Sequence, residues 1–230
     1  MKSEQTLGIV LSRTDYGEAD RIVTVITPDR GKRRLMVKGA RRMKSKMAGG
    51  IELFSVSELS YIKGRGDIDT LISARLDKYY SQIVNDIDRV QLGYELLKVL
   101  NRATEDEPEP DYFDLLKSAL AALDNSQIET ELIRLWFNAQ LLRLAGHTPN
   151  LKTDTDGKAL AAELKYNFDF EAMAFSQNPS GRYDSNQIKF IRLLFAGHQP
   201  AVINKVQGLD KLMSVSAPLI QTMLQAHIRI

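Results

Sequence analysis

The sequence contains no cysteine, which excludes a disulfide framework, a thiolate zinc site and a cysteine nucleophile. Stability therefore has to come from packing. Histidine is nearly as scarce: His147, His198 and His227 are scattered, and none has a second ligand at metal spacing. No apolar run approaches the roughly 18 residues of a membrane span, and the start MKSEQTL lacks the apolar stretch of a secretory signal, so a cytoplasmic location is expected. Also missing are a G-x-x-x-x-G-K-[ST] phosphate loop, a G-x-G-x-x-G leading into a helix, an H-E-x-x-H pair and a G-x-S-x-G elbow. The chain reads as a non-enzyme with no catalytic residue, no metal and no cofactor. Arg65-Gly66-Asp67 sits where a hairpin turn is wanted.

What is present is ordinary globular material, 43% hydrophobic and 26% charged, with an uneven charge distribution. Residues 1–80 carry 16 Lys or Arg against 10 Asp or Glu, and residues 81–230 carry 15 against 19. The halves are therefore +6 and −4, hidden in a net charge of +2. Within the first half, Arg30 to Lys46 holds nine basic side chains and no acidic one. Such a run repels itself, a cost more readily tolerated when a polyanion relieves it.

The periodicity predicts an α+β chain, strands first and helices after. TLGIVLSR, RIVTVITP, RRLMVK, IELFSVSELSYI and DTLISARLD read as five short strands separated by turns. Five strands in some 75 residues point to a closed OB-type barrel over residues 1–78, since closure removes exposed edges. Residues 79–230 read as a helical domain. Its first helix carries Ile83, Ile87, Val90, Tyr94, Leu97 and Leu100 at intervals of three and four. The stretch TEDEPEPDYFD breaks that helix, and Asp111 is placed to cap a second over 112–123. A third spans 128–145, stopped by Gly146 and Pro149, and helical spacing returns over 185–196 and 217–228. Residues 150–184 show no clear period.

The basic stretch is the candidate binding element. Five of its nine cations are Arg, whose planar guanidinium suits phosphate. In RRLMVK, Arg34 and Lys38 fall on one strand face while Leu35 and Val37 fall on the other. Gly39 and the pair Gly49-Gly50 frame a loop able to close over a ligand backbone. The site set is Arg33, Arg34, Lys38, Arg41, Arg42, Lys44 and Lys46. Tyr16, Phe54 and Tyr61 are the aromatics available for base stacking, with Phe54 better placed for the core.

These residues also carry a resemblance. Tyr16-Gly17-Glu18-Ala19-Asp20-Arg21, then Thr27-Pro28 and Gly31, then Lys38-Gly39-Ala40-Arg41 with Ser45, resemble the amino-terminal signature of the RecO family of bacterial recombination mediators. LRLAGHTPNL, Leu142 to Leu151, is similar to that family's mid-domain segment. The resemblance implies an OB-fold amino-terminal domain and a helical carboxy-terminal domain. It also implies binding of single- and double-stranded DNA, strand annealing, and association with RecR and with the tail of single-strand binding protein to help load RecA. Many members carry two Cys-x-x-Cys pairs for a structural zinc. Here Thr153 and Asp156, and the region Ser176 to Pro179, hold no thiolate. Zinc is not expected, and apolar contacts of Phe168, Phe170, Met173 and Phe175 take its place.

The expectation is a non-catalytic DNA-handling protein of the cytoplasm, associated with the nucleoid. Gly17 and Gly39 serve backbone geometry, and Glu18 and Asp20 orient Arg21 or cap a loop. Lys189 and Arg192, beside Ile188, Ile191 and Leu194, are candidates for gripping an apolar, carboxylate-ended peptide. The competing reading is a basic adaptor on an acidic membrane surface or a protein partner. It is weakened because Arg41 to Gly50 offers only Met43 and Met47 as apolar anchors.

Overall fold

A computed structural model describes residues 3–43, 45, 47–105 and 110–228. The chain forms two compact units, 1–126 and 127–229, so the first two helices belong with the barrel rather than with the later helices.

The first unit is built on a closed five-stranded barrel of OB type. Strands β1 (Ser3–Tyr16), β2 (Asp20–Thr27), β3 (Gly31–Val37), β4 (Ser55–Ile62) and β5 (Ile68–Tyr79) close in the order β1-β2-β3-β5-β4. Within the barrel, β3 and β5 pair in parallel, over Arg34 to Met36, and the other described pairings are antiparallel. The interior is filled by alternate residues, among them Val23, Val25, Leu35, Val37, Leu59 and Leu71. In β1 the alternation fails: Ile9, Val10 and Leu11 are all buried. The register shifts between Val10 and Ser12, and α1 packs along the outside of this strand, so both faces lose water.

Helix α1 (Ile87–Ala103) starts from Asp86, whose side chain accepts from the amides of Asp88 and Arg89. Its buried face is Arg89, Leu92, Gly93, Leu96, Leu97 and Leu100. The predicted stripe is thereby corrected: Ile87 and Tyr94 are exposed, and Ile83 belongs to a preceding 3-10 turn. An arginine and a glycine on the inner face concealed its period. Phe54 adopts a left-handed φ of 59° and lays its ring against Gly93 and, edge-on, against Tyr94. Helix α2 (Pro110–Leu123) carries Asp111 inside its first turn rather than as a cap. Gly50, expected to give flexibility, lies in a buried 3-10 turn where a Cβ would come 2.5 Å from the backbone oxygen of Ala74.

In the second unit, α3 (Thr130–Leu144) is buried along most of its length. Its Trp136 indole donates to the carbonyl of His198, 2.7 Å, and Gln140 donates to that of Leu194. These bonds tie α3 to the end of α4 (Ser185–Phe195) and the turn leading to the short α5 (Pro200–Ile203). Helix α6 (Leu209–His227) begins eight residues before its predicted start because Pro218 lies inside it and masks the continuity. The buried Ser216 hydroxyl in α6 has no hydrogen-bond partner among the described residues. A buried unpaired hydroxyl is a net cost, so Ser216→Ala is expected to raise stability by about 1 kcal/mol in urea unfolding; a loss of stability would contradict this.

Residues 150–184, without a clear period in sequence, hold a three-stranded sheet. Strands β6 (Asn150–Asp154), β7 (Tyr166–Asp169) and β8 (Ala174–Gln177) lie in the order β6-β8-β7. Short strands and frequent turns kept it from showing a period. Around Phe175 cluster Phe168 at 5.2 Å, Tyr183 at 5.5 Å and Tyr166 at 6.4 Å between ring centres, all edge-on. Where the family's first cysteine pair would stand, the buried Asp154 carboxylate instead accepts from the amides of Asp156 and Lys158. Asn178 does the same for the amide of Ser180 in the second turn.

His147 and His227, distant in sequence, stack with ring centres 4.3 Å apart. Burial holds the His147 pKa below its usual value, and the charge of His227 adds to this. The fold favours neutral His147, so its contribution is intact above about pH 6.5 and declines as pH falls toward the lowered folded value. The thermal midpoint should therefore drop between pH 7.5 and 5.5, and His147→Gln should lessen the drop. An unchanged pH dependence in the variant would contradict the assignment.

Candidate nucleic-acid interface

The basic stretch divides into two parts with different fates. At its start, Lys32 donates to the carbonyls of Asn101 and Thr104, 2.9 and 2.6 Å, closing the carboxy-terminal end of α1. Arg30 lies 3.5 Å from Glu4 and 3.4 Å from Asp29. Burial pushes the Glu4 carboxyl up, but hydrogen bonds from Tyr61 and Lys63 and the charge of Arg30 outweigh it and hold it low. The same Glu4, added to burial, drives the Tyr61 hydroxyl up to about 12. Arg33 shares the strand parity of Leu35 and Val37, and its Nε donates to the Arg30 carbonyl at 2.9 Å. With Lys32 and Arg34 it lines a small cleft that also holds Asp67 and Asp69. Arg30, Lys32 and Arg33 are thus engaged by carboxylates and carbonyls of their own unit.

The other part faces solvent. Leu35 and Val37 are fully buried while Arg34 and Lys38 are exposed, as the alternation required. Four strand residues apart, the two cations are separated by roughly 13 Å. Arg41 and Arg42 follow on the surface. Lys44 and Lys46 lie outside the described residues.

What fixes the start of this loop is the signature itself. The β1–β2 turn, with Gly17 at φ 56°, and the segment after β3, with Gly39 at φ 65°, are clasped together. Asp20 accepts the Gly39 amide at 2.7 Å, and the Ala19 carbonyl accepts that of Arg41 at 2.9 Å. Asp20 thus caps the loop. Arg21 is oriented not by Asp20 or Glu18 but by Asp15, at 2.9 Å, and Asp15 also lies 3.5 Å from Arg41. Sequence reasoning passed over Asp15; the signal was its place opposite Arg21 across a tight hairpin. Glu18 is exposed at the tip. Of the three aromatics considered, Phe54 and Tyr61 are core, 3% and 1% exposed, and Tyr16 stands 55% exposed beside the clasp.

In the second unit, Ile188, Ile191 and Leu194 are core residues and form no groove. Arg192 donates to the Leu151 carbonyl at 2.8 Å. Lys189 instead borders a groove with Phe190, Leu193, Val206 and Leu212, and Lys211 stands in the same lining. Among the described residues, no group of three His, Cys, Asp or Glu could hold a metal ion, and no helix is long and apolar enough to cross a membrane.

The family described as Recombination protein O N terminal matches residues 1–80, and Recombination protein O C terminal matches residues 84–195. A DNA repair protein RecO from Desulforamulus reducens is 32% identical over 195 residues, 84% of this chain and 74% of that protein. Proteins of the same name from Rhodopirellula baltica and Roseiflexus sp. are 33% and 34% identical over 145 and 148 residues, 62% and 64% of this chain. The chain spans about half the length of these two relatives, 53% and 51%. Matched by both halves of the family, with the signature residues forming the clasp under its basic loop, the chain belongs to the RecO family.

Proposed function

We propose that this protein, in keeping with the DNA-repair role of its family, binds single- and double-stranded DNA without catalysis and promotes annealing of complementary strands. The observation that carries this reading is the exposed strip Arg34, Lys38, Arg41 and Arg42, anchored at its base by the Asp20 clasp. Lys44 and Lys46 extend it in sequence. Phosphates run along the strip, and neutralising them lowers the repulsion between two complementary strands. Annealing then follows from binding, with no bond made or broken in the protein. In this reading residues 1–78 are the DNA-binding domain and Tyr16 offers one base a stacking surface.

The remaining partners follow from the family. RecR binds the protein, and single-strand binding protein offers its apolar, acidic tail, so that RecA is loaded on the strand it covers. The groove bordered by Lys189 and Lys211 suits such a tail, because the two cations stand in one lining with apolar Phe190, Leu193, Val206 and Leu212, with Asp184 the one carboxylate beside them among the described residues. Action on the chromosome places the protein in the cytoplasm, at the nucleoid.

The test is binding of a fluorescent single-stranded oligonucleotide across a salt series, followed by addition of the complement. Tight, steeply salt-dependent binding and accelerated annealing are expected. Binding to anionic vesicles but not to DNA at low salt would overturn the reading in favour of a membrane-surface adaptor. Reversing both lysines, Lys189→Glu with Lys211→Glu, should abolish capture of the tail peptide; undiminished capture would remove the groove from the proposal.

A further inference from the structure

The two oxygens of one carboxylate, Asp15, are engaged by arginines from different parts of the barrel. Oδ1 receives Nε of Arg21 from β2 at 2.9 Å, and Oδ2 lies 3.5 Å from Nε of Arg41 in the loop after β3. The backbone holds both in place. Asp15 and Arg21 face each other across the β1–β2 pair, and the Arg41 amide is tied to the Ala19 carbonyl. Two guanidinium groups thus converge on one anion at the edge of the basic strip.

We propose that Arg21 and Arg41 form a seat for a single backbone phosphate, filled in the free protein by Asp15 and taken over by DNA. This rests on the DNA-binding reading above and adds Arg21 and Asp15 to it. A phosphate presents oxygens to the same guanidinium forks as a carboxylate does. The pair is loosely held, since the side chains of Asp15 and Arg41 are 51% and 40% exposed and such surface ion pairs bind weakly. Access is open: a Cβ placed on Gly17 at the hairpin tip would meet nothing within 4 Å. Asp15 acts as an internal competitor. It preserves the position of the two arginines and weakens binding by returning to them when the strand leaves.

The experiment measures binding of a labelled oligo-dT by the full chain across a salt series, with thermal melting of each variant as a folding control. Asp15→Asn is expected to bind about three to ten times more tightly at 0.1 M salt, with the salt slope steeper by about one, because DNA no longer displaces a carboxylate. Arg21→Gln is expected to bind more weakly with a flatter slope, and in an Arg21→Gln/Arg41→Gln background Asp15→Asn should gain nothing. Unchanged or weaker binding by a folded Asp15→Asn protein, while the wild type binds DNA steeply, overturns the seat and leaves the DNA-binding reading standing. Should Asp15→Asn fail to fold, unaltered binding by Arg21→Gln overturns the seat instead. A wild-type protein that does not bind DNA overturns both.

Discussion

Replacing Arg34, Lys38, Arg41 and Arg42 together by Ala should cost roughly three and a half decades of affinity, about 4,000-fold, for single-stranded DNA at about 50 mM salt. The figure follows from counterion release. Each phosphate neutralised on a single strand contributes roughly 0.7 to the slope of log affinity against log salt, so four contacts carry about 2.8. Over the 1.3 decades between about 1 M and 50 mM salt, that slope amounts to roughly three and a half decades of affinity. All four side chains are on the surface, and none forms the barrel core, so the melting temperature should hardly move. The contrast within the same stretch is sharper than the loss itself. Lys32 and Arg33 already donate to the carbonyls of Asn101, Thr104 and Arg30. Lys32→Met with Arg33→Gln should therefore change DNA affinity less than about threefold while lowering stability by about 1–2 kcal/mol. Equal losses of affinity from both sets of substitutions would show that total charge, rather than its placement, governs binding.

The largest effect on stability is expected at Arg89. This side chain, 7% exposed, donates to the carbonyls of Leu123, Asn125 and Ser126 at 2.8, 3.1 and 3.2 Å and lies 3.7 Å from Asp86. It closes the carboxy-terminal end of α2 by donating to carbonyls of its last turn and of the residues just after it. Arg89→Ala leaves those carbonyls without their donor and opens a cavity between α1 and α2, a loss of about 3–5 kcal/mol. Arg89→Lys should recover less than half, since one ammonium group cannot span three carbonyls that a planar guanidinium reaches together. Urea unfolding of the three proteins decides the matter. A loss below about 1 kcal/mol in Arg89→Ala would mean that water replaces the guanidinium at little cost.

Arg89 also marks where sequence reasoning stopped. The helix over 87–103 was recognisable from spacing, yet its inner face was not, because a buried Arg scores as surface and Tyr94 scores as core. Propensity registers the residue, whereas burial depends on a carbonyl end more than thirty residues away. The sheet of 150–177 was invisible for a related reason. Its strands have five, four and four residues, too short for a period, and its order comes from aromatic rings and Asx-held turns. Pro218 hid the first half of α6, since packing of Leu209, Met213, Leu219 and Ile220 tolerates a break that local rules read as a start.

The sequence by itself determined the five barrel strands, the helices after them, the alternation that turns Arg34 and Lys38 outward, and the family signature. Each is a local pattern, repeating within a few residues, and local backbone geometry is enough to express it. Only the tertiary structure decided which cations remain available. Along the chain, seven of the nine basic residues stood as the site, Arg33 among them. Folding brought α1 carbonyls to Lys32, Glu4 to Arg30 and Asp15 to Arg21 and Arg41. Charge acts through distance in space, and the groups that set those distances lie up to 72 residues away in sequence.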